Sequence, residues 1–264
     1  LSAKWSWVPA AAGVVKGQGA VLSLRDTTQG KDVLLTARGA QHFGFELAGG
    51  FSGEYPGSLM GAIALIRQSL LDARWQAARP AGERIEANAA LAALAPAARG
   101  TQRAWFQLDD ELDVARVAHI AREFALKPVL VGTGYEYRVL DQAKALQAPF
   151  VLSLAFPETP AVEDADAALN ATLADLQHWE QAPANAARLA AAGIEIAFSA
   201  RGLKEPEKKF WGELRRAVRA GLGEEAALRA LTTTPASLIG ESARLGRIAP
   251  GQFANLVVAD ADLF

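Results

Sequence analysis

The stretch Trp105-Phe-Gln-Leu-Asp-Asp-Glu-Leu-Asp-Val-Ala-Arg-Val-Ala-His-Ile-Ala-Arg-Glu-Phe-Ala-Leu-Lys-Pro-Val-Leu-Val131 decides the fold. It opens and closes on short apolar runs, Trp105–Leu108 and Pro128–Val131, each the right length for a buried parallel strand. Between them Val114, Val117, Ala118, Ala121, Phe124 and Ala125 recur at helical spacing. Asp109 or Asp110 stands where a cap is needed, and Glu111 and Asp113 favour the first turn. Strand, helix and strand in so few residues mean parallel strands with a right-handed crossover.

Working outward, the unit repeats. Pro149–Leu154 and Ile194–Ser199 are further strands, and 135–146, 165–179, 184–192 and 207–221 read as helices. Upstream, Ala20–Leu24 reads as a strand, and Gln41–Leu47 alternates, with Phe43, Phe45 and Leu47 on one face and His42, Gly44 and Glu46 on the other. Ser58 is placed to cap a long helix through Leu59, Ile63, Leu70 and Trp75, and the Ala-rich 81–100 reads as a helix closed by Gly100. The pattern predicts an α/β fold of the (β/α) barrel type. A full barrel needs about eight strands; roughly six are found, so the barrel is expected to be incomplete, its first strand missing.

At 264 residues, 51% hydrophobic and 21% charged, the chain has the composition of an ordinary globular domain. A net charge of −2 gives no reason to expect nucleic acid or an anionic membrane as partner, and no apolar stretch is long enough for a membrane span. The absence of cysteine removes thiolate catalysis and leaves the compartment undecided. A start at Leu1 without a leader reads as a processed or excised piece.

Ala227-Leu-Arg-Ala-Leu-Thr-Thr-Thr-Pro-Ala-Ser-Leu-Ile-Gly240 reads as a helix capped by Thr234, with Pro235 in its first turn and Gly240 ending it. Leu245-Gly-Arg-Ile-Ala-Pro-Gly-Gln-Phe-Ala-Asn-Leu-Val-Val-Ala-Asp260 follows, with Pro250-Gly251 as a turn and Phe253–Val258 as an expected strand. This tail resembles the C-terminal signature of metal-dependent amidohydrolases. Gly13–Leu24, Tyr55–Ala73 and Phe124–Gly132 extend the resemblance, more narrowly, to imidazolonepropionase-type members. The resemblance implies a barrel over 1–250, residues 251–264 giving a strand to a small flanking β-sandwich, and hydrolysis of non-peptide C–N bonds.

It also implies a divalent metal, held by a His-x-His on the first barrel strand, later histidines and a final Asp, and those residues are not where the resemblance expects them. No His-x-His occurs; Gln107, Leu108 and Asp109 end one strand, Gly132 and Thr133 the next, and Ser199, Ala200 and Arg201 follow the last. Gln107, Asp109, Thr133, Ser199, Arg201 and His42 are therefore expected to line a remnant pocket, with no metal and no cofactor. His119 and His178 read as surface residues of their helices. Two other readings stand beside this one: a working amidohydrolase, with zinc or a similar ion held by ligands upstream of Leu1, and a non-enzymatic ligand-binding or scaffold module. A small-molecule ligand, an upstream segment or second chain completing the barrel, and a homo-oligomer are the partners expected.

Overall fold

The computed structural model describes residues 5–8, 13–23, 33–47, 55–80, 88–260 and 263–264. The expected helix over 81–87 and the expected strand residue Leu24 lie outside them. Nine strands are found among the described residues: β1 (Trp5–Val8), β2 (Val15–Gln18), β3 (Ala20–Ser23), β4 (Leu34–Thr36), β5 (Gln41–Gly44), β6 (Arg103–Gln107), β7 (Lys127–Val131), β8 (Phe150–Ser153) and β9 (Ile196–Ser199). They form a six-stranded sheet, in the order β2-β5-β6-β7-β8-β9, and a small antiparallel sheet, β1-β3-β4. From β5 to β9 every pairing is parallel, whereas β2 runs antiparallel to β5. Among the described residues β2 and β9 are the sheet's two edges, so the barrel does not close.

Among the described residues ten α-helices alternate with these strands or follow them: α1 (Leu59–Ala77), α2 (Ala89–Ala98), α3 (Asp113–Glu123), α4 (Leu140–Leu146), α5 (Ala165–Ala168), α6 (Leu173–Gln181), α7 (Asn185–Ala191), α8 (Pro206–Arg219), α9 (Glu224–Leu231) and α10 (Thr233–Leu238). Ser58 caps α1 as expected, its hydroxyl accepting from Gly61 N at 3.1 Å. The buried stripe of α1, Ala62, Ile66, Leu70 and Ala73, keeps helical spacing. In its last turn Arg74 donates to Ala98 O and Phe124 O, satisfying the last carbonyl of α2 and the one just beyond α3.

The sheet register separates two faces. Phe43, Ala104, Phe106, Leu130, Phe150 and Ile196 face the helices in the main core, where Phe43 and Phe106 stack at 5.0 Å. Trp105, Val129, Val131, Val151 and Ala197 form the other, inward face. Leu238 of α10 packs into that inward cluster, with Ile239 beside it. Leu238 and Ile239 thus add apolar side chains to the inside of the incomplete barrel.

Three expectations change. The last helix starts at Thr233 after Thr232, two residues earlier than a Thr234 cap would have it. Gly240 does end this segment with a left-handed φ of 80°. Phe253–Val258 is not a strand, and Leu256, Val257 and Val258 are exposed; an apolar run forms a strand only where an edge accepts it, and none does among the described residues. Ala20–Ser23 is a strand but pairs in the small sheet rather than the barrel. That sheet is fastened through β4: Thr36 Oγ1 donates to Glu241 at 2.6 Å, and Arg244 bridges Glu241 and Leu35 O.

Candidate functional site at the C-terminal mouth of the sheet

Strand register puts His42 opposite Trp105, Gly44 opposite Gln107, and Ser153 opposite Ser199, all on the inward face. Low on this face the side chains are apolar; towards the C-terminal ends they become polar, which is where barrel enzymes build their sites.

Lys16 of β2 joins this end and was not singled out in the sequence. It is buried, and its stem crosses Gly44 so closely that a Cβ there would lie 2.7 Å from Cε and 3.5 Å from Nζ. Its ammonium donates to Glu46 Oε2 at 2.9 Å, and Gly13 N donates to the same oxygen at 3.3 Å. The Lys16 hydrogen bond, then the Gly13 amide and the Lys16 charge hold the Glu46 carboxyl below its ordinary range. His42 is buried and its ring lies 5.9 Å from that of Trp105. Burial first and Lys16 second push its pKa down to about 4, so the imidazole is neutral near pH 7.

Asp109, at the end of the next strand, is held above its ordinary range by burial and then by Asp113, with Lys16 and Arg201 pulling the other way. The structure thus brings His42, Asp109 and Arg201 within electrostatic reach of Lys16 or Glu46. Gln107 shares their face by register. Ser199 turns instead to the loop beyond it, accepting from Arg201 N at 3.1 Å, while Ser153 donates to Arg201 O at 2.5 Å. Both ends of that peptide segment are pinned.

Thr133 belongs to a separate device. Glu136 is fully buried and accepts from Thr133 N at 2.6 Å, Gly134 N at 3.2 Å and Asn185 Nδ2 at 2.6 Å. Gly132 leaves room for this carboxylate, since a Cβ there would lie 2.5 Å from Oε1. The Gly132–Gly134 stretch is a βα turn stapled by a buried acid. Asp110 and Asp113 make a comparable staple on the preceding turn. Asp113 accepts from the Asp109 and Asp110 amides, Asp110 accepts from Asp113 N, and Arg116 neutralises both acids.

His119 is exposed as expected. His178 is not a free surface residue: it stacks on Tyr135 at 3.7 Å and meets the Tyr137 hydroxyl at 3.3 Å, with Arg138 over Tyr135. Helical position alone does not show this, because the partners come from the loop after β7. Beside the polar cluster, past Arg201, a cleft of about 900 Å³ opens between the loops after β8 and β9. Phe156, Trp179, Lys204, Lys209, Glu213 and Arg216 are among its walls.

The amidohydrolase family matches residues 143–264. An amidohydrolase from Thermotoga maritima MSB8 superposes on 96% of this chain at a TM-score of 0.76 and 21% identity. Residues 143–264 match the amidohydrolase family, and the whole chain has an amidohydrolase-like fold. The amidohydrolase-like chain spans 65% of the length of that Thermotoga protein. A prolidase solved with N-methylphosphonate-L-proline is similar over 80% of this chain and 57% of its own, at a TM-score of 0.43 and 17% identity, too distant to bear on the site. No curated protein sequence matches the chain.

The fold family implies a divalent metal at this mouth. Among the described residues no three His, Asp or Glu side chains converge as such an ion requires, and a buried ammonium stands among them. The described residues do not by themselves fit the ion.

Proposed function

We propose that this amidohydrolase-like domain binds a small anionic molecule at its C-terminal mouth and does not hydrolyse it through a metal. The observation that carries this reading is the state of the mouth's own groups: Glu46 is taken by Lys16, His42 is buried and neutral, and Asp109 stands apart from both without a third ligand. A divalent ion acidifies water only when several such donors hold it together. The adjoining cleft suits a ligand with an apolar body and a negative end, since Phe156 and Trp179 offer ring surface and Lys204, Lys209 and Arg216 outnumber Glu158 and Glu213. Kinship to imidazolonepropionase-type enzymes, whose substrates are non-peptide amides and cyclic amides, is part of the proposal and points to their carboxylate products as first ligands to try.

The test is metal analysis together with calorimetry. The purified chain, dialysed against zinc and then manganese, is expected to retain neither ion, while aromatic and cyclic carboxylates bind and lose affinity in Lys209→Ala and Arg216→Ala. Stoichiometric metal with chelator-sensitive cleavage of a cyclic amide would establish the second reading, a working amidohydrolase, which the family match over 143–264 favours. The outer edge of β9 carries no further strand among the described residues, and we propose that another segment or a second copy covers it. Sedimentation showing a strict monomer that excludes added upstream sequence would argue against that.

A further inference from the structure

We infer that Lys16 is the resident cation of this mouth, its ammonium filling the inward place over Gly44 that a side chain at residue 44 and a bound divalent ion would otherwise share. The inference deepens the proposed function and rests on it. Three observations meet here. Lys16 is buried, although a lysine keeps its head in water wherever it can. Its stem passes directly over Gly44, the strand position two residues from His42 on the same face, where a Cβ would lie 2.7 Å from Cε. Its charge is matched by Glu46 at 2.9 Å.

A single ammonium differs from a divalent ion in what it can do. It donates hydrogen bonds to a carboxylate or carbonyl oxygen and so orients a ligand, but it does not gather several anionic donors or lower the pKa of a bound water to neutrality. With Glu46 neutralised by Lys16, the mouth has little excess negative charge to recruit a divalent cation. Gly44 and Lys16 thus fit one another, a strand position without a side chain and the lysine stem that passes over it.

The arrangement can be undone. In the full chain the double variant Lys16→Ser/Gly44→His removes the ammonium, frees Glu46 and places a second imidazole on the inward face two residues from His42. Zinc binding is followed by calorimetry, and retained metal by elemental analysis after gel filtration. The wild type is expected to hold no zinc at the mouth. The double variant should hold about one equivalent, at least roughly a hundredfold tighter, and lose it when His42→Ala is added. Lys16→Ser alone, which adds no bulk, covers the case of a double variant that fails to fold: it should gain about tenfold in zinc affinity, again dependent on His42. Stoichiometric zinc in the wild type would overturn this inference and the proposed function together. A metal-free wild type with folded variants that also take no zinc would overturn the role of Lys16 alone.

Discussion

Replacing Glu136 by alanine should be among the most damaging single changes in this chain, although the residue touches no part of the polar cluster. Its carboxylate is fully buried and serves as acceptor for Thr133 N, Gly134 N and Asn185 Nδ2. Alanine leaves three donors without this partner, the Asn185 amide buried and the Thr133 and Gly134 N–H groups partly buried. At about 1–1.5 kcal/mol for each, the loss is about 3–5 kcal/mol. For a chain of this size that lowers the melting temperature by roughly 10 °C. Glu136→Gln separates hydrogen bonding from charge. The amide oxygen keeps the Thr133 contact, and Asn185, whose Oδ1 meets no donor among the described residues, can turn over to accept from the introduced amide nitrogen. The cost should fall to about 1–2 kcal/mol. Urea unfolding followed by circular dichroism measures both. A Glu136→Ala loss below about 1 kcal/mol, or a glutamine variant as damaged as the alanine one, would refute the assignment of this acid as the staple of the turn.

Burial gives His42 a pKa of about 4 in the folded chain, below its unfolded value. The folded state therefore binds fewer protons than the unfolded one, and stability should be complete above about pH 6.5 and decline by about 3 kcal/mol as the pH falls to about 4. His42→Gln should flatten that part of the profile, and an unchanged slope would contradict the burial argument. Arg244→Ala should cost about 2 kcal/mol by leaving the buried Glu241 short of its cation, and limited proteolysis should then cut first around 33–36, where β4 depends on that bridge. His178→Ala should speed amide exchange in α6 roughly tenfold with little change in melting temperature, since α6 has no buried residue of its own and is held through the ring stack. Global destabilisation in that variant would show α6 to be part of the core instead.

The sequence by itself determined the layering of this protein. Apolar runs of strand length alternating with helical stripes leave few arrangements, and from Trp105 to Ser199 each expected strand formed within a few residues of its reading, while the helices expected over 135–146 and 165–179 are both interrupted. Inward and outward faces were also legible from Gln41 to Phe45, because alternation along a strand is a local property, whereas Leu47, expected beside Phe43 and Phe45, is exposed beyond the strand's end. The site was legible only in part. His42, Asp109 and Arg201 lie within electrostatic reach of Lys16 or Glu46, but Lys16 lies on β2, a strand that the sequence pattern does not announce. Only the antiparallel pairing of β2 with β5 carries it over Gly44 and turns a missing side chain into a cation's place. His178 found its stacking partners on another loop, Glu136 found Asn185 across a helix, and Phe253–Val258 met no edge to join. Propensity and periodicity are set by neighbours along the chain, whereas charge pairing, burial and strand completion depend on partners that only the folded sheet brings within a few ångströms.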